Sequence, residues 1–143
     1  MPSIDEHEKI AKELIEDIEE KIRLGIIVKR QKIIGFAVSE ASTNLFAIFL
    51  HKHNLITHGF NLNHSFFASQ KRAENTFNSD FNNKKKVIEI LVRIEELRNR
   101  LCYGRDKEAK EANEAIKLLF ELKKMLEEKD AWIYLWLFIG IIW

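Results

Sequence analysis

The sequence predicts an all-α protein: a four-helix up-down bundle with a long central connector and an apolar C-terminal extension. Apolar residues recur at spacings of three and four in four separate segments, which is the period of a helix with one buried face. Pro2 is the only proline and there are five glycines, so few residues interrupt long helices. With 143 residues, 46% of them apolar and 31% charged, the chain can bury a core as one domain, assigned to residues 1–130.

The first two helices are predicted before residue 55. Ser3 and Glu6 have the spacing of a capping box, and Gly25 is placed to end the first helix. Its apolar positions are Ile4, Ala11, Leu14, Ile15, Ile18 and Ile22. The second helix ends near Asn54. Its single apolar stripe is formed by Ile34, Ala37, Val38, Ala41, Leu45, Ile48 and Phe49. Glu40, beside this stripe, is a candidate for an ion pair with an arginine of the third helix.

The second half of the chain is predicted to contain a connector and two further helices. Periodicity weakens over residues 55–83, with a short helix expected within Ser65–Phe77; a connector of this length indicates function or mobility. The third helix is predicted over Lys84–Tyr103. Asp106 is placed to cap a fourth helix that runs to about Lys129, and the short link makes the last two helices antiparallel neighbours.

The last 13 residues, Ala131–Trp143, carry no charge and contain all three tryptophans. A helix of that length spans about 20 Å, short of the roughly 30 Å hydrocarbon core of a bilayer, so no membrane-spanning segment is predicted. The first interpretation is burial against the bundle or a partner subunit. Anchoring at a membrane surface is the second, and a tail produced by a shifted reading frame is the third.

Composition narrows the function classes. A net charge of +1 gives no overall attraction to nucleic acid or membrane. The single Cys102 and an N-terminus without a basic or apolar leader predict a cytoplasmic protein. The spacing of the histidines at 51, 53, 58 and 64 is not that of metal ligands, so neither a metal nor a cofactor is expected. Walker A, dinucleotide-binding and nucleophile-elbow motifs are missing from the sequence.

The candidate site is the end of the third helix, where the sequence reads Arg98-Asn99-Arg100-Leu101-Cys102-Tyr103-Gly104-Arg105. Guanidinium groups match the oxygens of a phosphate, and a helix core does not need three of them. The candidate phosphate- or nucleic-acid-binding residues are Arg98, Arg100, Arg105, Lys84, Lys85 and Lys86. The alternative is a solvated helix face whose last cations stabilise the helix dipole.

Over roughly residues 30–129, this order of features resembles the HEPN superfamily (higher eukaryotes and prokaryotes nucleotide-binding domain). The motif of that superfamily is an arginine, a polar residue, a few variable residues and a histidine near the end of the third main helix. Here Arg98 and Asn99 match the opening pair, and Tyr103 stands where the histidine is expected. The following Gly104-Arg105-Asp106 is similar to the branch whose motif ends in an arginine and a tyrosine.

The resemblance implies a homodimer with two motifs in one cleft, a likeness to ribonuclease toxins, and a minimal nucleotidyltransferase as partner. It makes Arg98, Asn99 and Tyr103 the catalytic motif positions: Arg98 binds phosphate, Asn99 orients the phosphate or the arginine, and Tyr103 hydrogen-bonds or stacks. A tyrosine with a pKa near 10 is a poor general base at neutral pH. Efficient ribonuclease activity is therefore not expected.

Three functions remain open. The preferred one is a HEPN-like nucleotide- or RNA-associated protein in a toxin–antitoxin-like pair. The second is a non-catalytic protein–protein interaction or oligomerisation module that uses its apolar faces. The third is an active ribonuclease in which a connector histidine, such as His58 or His64, replaces the missing motif histidine. The surroundings of Arg98 discriminate among them, because an arginine tied in ion pairs cannot bind a phosphate.

Overall fold

The computed structural model describes the backbone of residues 3–142 and the side chains of residues 3–127. These residues form five α-helices and one 3₁₀ turn, with no strand among them. The elements are α1 (Ile4–Arg23), α2 (Gln31–Lys52), the 3₁₀ turn (His64–Phe67), α3 (Gln70–Thr76), α4 (Lys84–Cys102) and α5 (Ala109–Ile142). The all-α prediction is confirmed.

Both ends of α1 form as the sequence predicts. The Ser3 hydroxyl accepts from the Glu6 N–H at 3.2 Å, and the Glu6 carboxylate accepts from the Ser3 N–H at 3.3 Å. These two bonds satisfy N–H groups that the first turn of a helix leaves free. At the other end Gly25 has a φ of +66°, a left-handed conformation that glycine adopts without steric penalty. The chain therefore turns sharply into α2.

The α2 helix lies at the centre of the fold. The α1, α4 and α5 helices all pack against it. The predicted single apolar stripe is wrong, because Ser42, Thr43 and Phe46, which lie between the stripe positions, are buried as well. A helix with neighbours on every side buries most of its circumference. Among the described residues, α2 is the one helix long and apolar enough to cross a membrane, but most of it is buried within this fold.

Contacts between helix ends show how the neighbours run. His7, near the start of α1, contacts Asn44 in the second half of α2. Gly35, near the start of α2, lies against Leu101 at the end of α4. The α1 and α4 helices are therefore each antiparallel to α2. The α5 helix follows α4 after a short link, and Glu111 near its start bonds Arg100 near the end of α4.

The connector between α2 and α4 closes one side of the core. The sequence predicted one short helix within Ser65–Phe77, but the structure has a 3₁₀ turn and α3 there. Ser69 separates them because its hydroxyl accepts a backbone N–H of α3 at 3.1 Å and caps that helix. Phe67 and Phe77 are buried against Phe46 of α2, with ring centroids 5.8 and 5.2 Å away. This segment is thus structural, although its periodicity is weak.

The α5 helix begins at Ala109, later than the predicted cap at Asp106. Asp106 instead lies 3.5 Å from the Lys32 ammonium of α2. The segment before α5 is held by the buried Gln31, whose side-chain oxygen accepts the Lys107 N–H at 2.6 Å. A tertiary hydrogen bond therefore decides where this helix starts, and a local cap does not.

The predicted apolar tail begins within α5, since that helix continues to Ile142. The side chains of residues 128–143 lie outside the described residues. The proposed burial of the tail, its binding to a partner subunit and its membrane anchoring stay predictions.

Candidate anion-binding site

The predicted motif lies where the end of α4 meets the first turns of α2. Gly35 makes this close approach possible: an added Cβ would stand 2.8 Å from the Leu101 Cβ and 3.2 Å from the Cys102 Sγ. Leu97 and Leu101 are fully buried at this contact, whereas Arg98 is half-buried at its edge. Packing of the two helices therefore places the Arg98 side chain beside α2.

Arg98 has no ion pair with any described residue. Its Nε is buried and has no hydrogen-bond partner among those residues. The guanidinium carbon lies 6.0 Å from the centroid of the Phe36 ring, at the limit of cation–π distances. A buried donor without a partner costs free energy, so a bound anion would stabilise this arrangement.

One turn before Arg98, Glu95 is bound by a histidine from the connector. Glu95 is only 6% exposed. Its two carboxylate oxygens lie 2.9 and 3.0 Å from the Nδ1 of His64. The carboxylate only accepts, so Nδ1 carries the proton, and the Nε2 of a neutral His64 ring is then an acceptor. This pairing satisfies a carboxylate that burial would otherwise destabilise.

Arg98 and Glu95 both act on the same thiol. Burial raises the pKa of Cys102, the charge of Arg98 lowers it, and the charge of Glu95 raises it again. Glu95, Arg98 and Cys102 follow one another at spacings of three and four on α4, so they lie on one face of this helix. We call His64, Glu95, Arg98 and Cys102 the Arg98 cluster.

The other motif residues are exposed. Asn99 and Arg105 lie at the surface. Tyr103 is 64% exposed and directly follows α4 in an extended conformation, with φ −124° and ψ 151°. Gly104, with a φ of +81°, then turns the chain towards α5. Tyr103 is therefore next to the Arg98 cluster in sequence, but it is not packed into the protein.

Arg100 is occupied within the chain. It bonds Glu111 of α5 through Nε at 3.0 Å and through a second guanidinium nitrogen. This bond raises the pKa of Arg100 and lowers that of Glu111. Arg93 pairs with Glu114 in the same way, at 2.7 and 3.0 Å. Because Glu111 already bonds this guanidinium, Arg100 is a poor candidate for a phosphate ligand.

The expected pair between Glu40 and an arginine of α4 does not occur among the described residues.

The three lysines Lys84, Lys85 and Lys86 form the first turn of α4. At 1.5 Å per residue, Lys84 lies about 21 Å from Arg98 along the helix axis. Lys86 is also 3.9 Å from a carboxylate oxygen of Glu121. At this distance from Arg98 the lysines cannot contact the phosphate that this arginine would bind, and a role in long-range attraction stays a prediction.

A groove with an apolar floor lies elsewhere among the described residues. It has a volume of about 380 Å³ and runs between α1, α2 and α5. Its floor is apolar, and its rim carries charged side chains that pair with each other, such as Lys123 with Glu127. A ligand site needs a few polar groups that can bond the ligand. Arg98 has a buried guanidinium nitrogen without a partner among the described residues, whereas charged residues on the rim of this groove are paired with each other. We therefore place the candidate site at Arg98.

The remaining histidines form a second polar cluster between α1, α2 and the connector. His7 donates from Nδ1 to the Asn44 side-chain oxygen at 2.7 Å. The His51 ring lies 5.9 Å from His7 and 5.8 Å from His58. The Nε2 atoms of His7 and His51 are buried without partners among the described residues. No group of three or more potential ligands within that part of the chain is arranged to hold a metal.

This cluster predicts a loss of stability on mild acidification. Burial lowers the pKa of His51 below its ordinary 6.5, and the neighbouring His7 and His58 lower it further. The unfolded chain therefore takes up this proton at a higher pH than the folded protein does. The free energy of unfolding should fall as the pH drops from 7.5 through 6.5 to 5.5. Urea titrations should show a smaller fall for His51→Leu, and an equal fall would contradict the prediction.

Sequence reasoning named His64 but missed its partner Glu95, although one signal was present. Leu91, Glu95, Arg98 and Cys102 follow one another at spacings of four, three and four. A carboxylate and a guanidinium on such a half-apolar stripe indicate buried charge that needs partners.

Comparison of the chain with protein-family models, curated proteins and solved structures finds no match.

Proposed function

We propose that the protein is a HEPN-like, cytoplasmic, nucleotide- or RNA-associated helical protein that binds a phosphate group at Arg98. In this proposal it is a homodimer and one half of a toxin–antitoxin-like pair, with a minimal nucleotidyltransferase as partner. Its body is an up-down bundle of α1, α2, α4 and α5 over residues 1–130, and residues 131–143 are its apolar extension.

The observation that carries this proposal is the free guanidinium of Arg98. Arg93 and Arg100 lie on the same helix and are both satisfied by carboxylates of α5. Arg98, between them in sequence, has a buried Nε without a partner among the described residues. Because a guanidinium fork matches phosphate oxygens, this group is the strongest candidate ligand on α4.

The surface around the Arg98 cluster supports a shared cleft between two copies. Ile33 and Phe36 of α2 are 48% and 47% exposed, and Tyr103 is 64% exposed. Exposed apolar side chains beside a free cation are typical of an interaction surface. The same exposure also favours the alternative function, a non-catalytic oligomerisation module that binds no anion at all.

We expect phosphate binding to depend on Arg98 and not on Arg100. Arg98→Ala should weaken binding of adenosine monophosphate and of a short single-stranded RNA by about tenfold or more, because a charge-assisted hydrogen bond is lost. Arg100→Ala, which removes a guanidinium already paired with Glu111, is the matched control and should change binding by less than about twofold. Calorimetry and fluorescence anisotropy measure both. Equal effects of the two variants, or no binding by the wild type, would reject the proposal.

A second candidate function is an active ribonuclease, and the hydrogen bond between His64 and Glu95 favours it. A carboxylate that fixes Nδ1–H leaves Nε2 of the neutral ring free to accept a proton. In that reaction His64 takes the proton of a ribose 2′-hydroxyl, and the 2′-oxygen attacks the adjacent phosphorus. The bond from phosphorus to the 5′-oxygen of the next nucleotide breaks, this oxygen takes a proton from water, and a 2′,3′-cyclic phosphate remains. Arg98 stabilises the charge on the phosphate oxygens. The same RNA samples test this function. Cleavage by the wild type but not by Arg98→Ala supports it, and equal or absent cleavage in both excludes it.

A further inference from the structure

We propose that His64 is a positioning residue of the anion site: by binding Glu95, it prevents this carboxylate from pairing with Arg98 and so keeps the guanidinium available. The inference rests on the proposed function, since it concerns how the same site is kept open. The connector between α2 and α4, which contains His64, thus influences the affinity of the anion site through Glu95.

Glu95 and Arg98 lie three positions apart on α4, so their side chains can reach one another. Residues three apart on a helix are neighbours on its surface. The same helix contains such a pair: Arg93 and Glu96, also three apart, bond at 2.9 Å. Glu95 and Arg98 have the same spacing, yet the Glu95 oxygens bond His64 and the Arg98 Nε has no partner among the described residues.

His64 holds the Glu95 carboxylate away from Arg98. Both oxygens of Glu95 lie within hydrogen-bond distance of the His64 Nδ1, at 2.9 and 3.0 Å. The connector fixes this histidine firmly. Asn63 caps the 3₁₀ turn, since its side-chain oxygen accepts the Ser65 N–H at 2.9 Å. At the other end of the turn, Phe67 is buried against α2.

Removal of His64 would leave the Glu95 carboxylate without its hydrogen-bond partner. Glu95 is almost fully buried, and a buried carboxylate without a partner is strongly disfavoured. The unpaired cation closest to it on its own helix is Arg98. Without His64, Glu95 should therefore take Arg98 as its partner. A phosphate then has to compete with a tethered carboxylate for the guanidinium.

The experiment uses the full-length chain and measures binding of inorganic phosphate and of adenosine monophosphate by calorimetry at pH 7.5. His64→Ala should weaken binding by about five- to tenfold, the range expected when a partly buried ion pair has to be broken. His64→Ala combined with Glu95→Gln should restore the affinity of Glu95→Gln alone, because a neutral amide does not compete for Arg98. Circular dichroism melts verify that each variant is folded.

A conservative variant separates positioning from direct contact with the ligand. In His64→Asn the side-chain amide nitrogen stands near the place of Nδ1 and can donate to Glu95, whereas nothing replaces Nε2. This variant should keep nearly wild-type affinity. If His64→Ala does not fold, His64→Phe keeps a ring without the donor and should show the same loss.

Several results would overturn the inference while the proposed function stands. One is an unchanged affinity of His64→Ala in a protein whose binding depends on Arg98. Another is a loss that Glu95→Gln does not restore, or one that His64→Asn shares, because His64 would then contact the ligand itself. If the wild type binds neither probe, or if Arg98→Ala binds as well as the wild type, the proposed function fails and the inference falls with it.

Discussion

Replacement of Phe46 by alanine is expected to lower the free energy of unfolding by about 3–5 kcal/mol, the range for removing a large buried aromatic side chain. Phe46 has no exposed surface. Its ring lies 5.2 to 6.4 Å from those of Phe49, Phe67, Phe77 and Phe81, on α2 and on both halves of the connector. Truncation leaves a cavity that these separately anchored rings cannot all close.

The effect is measured by urea-induced unfolding followed by circular dichroism. Phe36→Ala is the matched control, since this phenylalanine lies on the same helix but is 47% exposed; its loss should cost less than about 1 kcal/mol. A small effect at position 46, or equal effects at both positions, would show that the aromatic cluster does not hold the connector in place.

Replacement of Gly35 by alanine should destabilise the protein by about 1–3 kcal/mol, the usual cost of adding volume to a well-packed contact. The new Cβ would stand 2.8 Å from the Leu101 Cβ, and that atom cannot move without its helix. We therefore expect α2 and α4 to separate at the end that carries the Arg98 cluster. The melting temperature and the affinity for phosphate should fall together.

Gly59→Ala provides the control for this prediction, because an added Cβ there has no neighbour within 4 Å and the backbone is not left-handed. This variant should melt within about 2 °C of the wild type, as surface substitutions do. A Gly35→Ala protein as stable as the wild type would mean that the two helices can move apart freely at their point of closest approach.

Local signals in the sequence were sufficient to predict α1 and α4. The start of α1 depends on Ser3 and Glu6, which are three positions apart, and its end depends on the left-handed Gly25 that follows it. The α4 helix lies where the apolar periodicity of the sequence predicted it. The start of α5 was predicted less well, because Gln31 holds Lys107 across 76 positions of the chain. No pattern around Asp106 could indicate that contact.

The candidate site shows the same limit. Sequence reasoning located Arg98, because three guanidiniums within eight residues are a strong local signal. It could not tell which of the arginines is free. Arg100 is occupied by Glu111, while His64 reaches Glu95 from 31 positions away. Partners that are brought together only by folding decide which charge is available to a ligand.

The central position of α2 has a consequence for synthesis on the ribosome. Two of the helices that cover it, α4 and α5, follow it in the chain, so a nascent α2 emerges with only α1 to shield it. The hydropathy of α2 is high enough for membrane insertion, so the nascent helix can insert into a membrane or aggregate before it is covered. Chaperone access to the growing polypeptide before α4 and α5 emerge should therefore raise the yield of native protein.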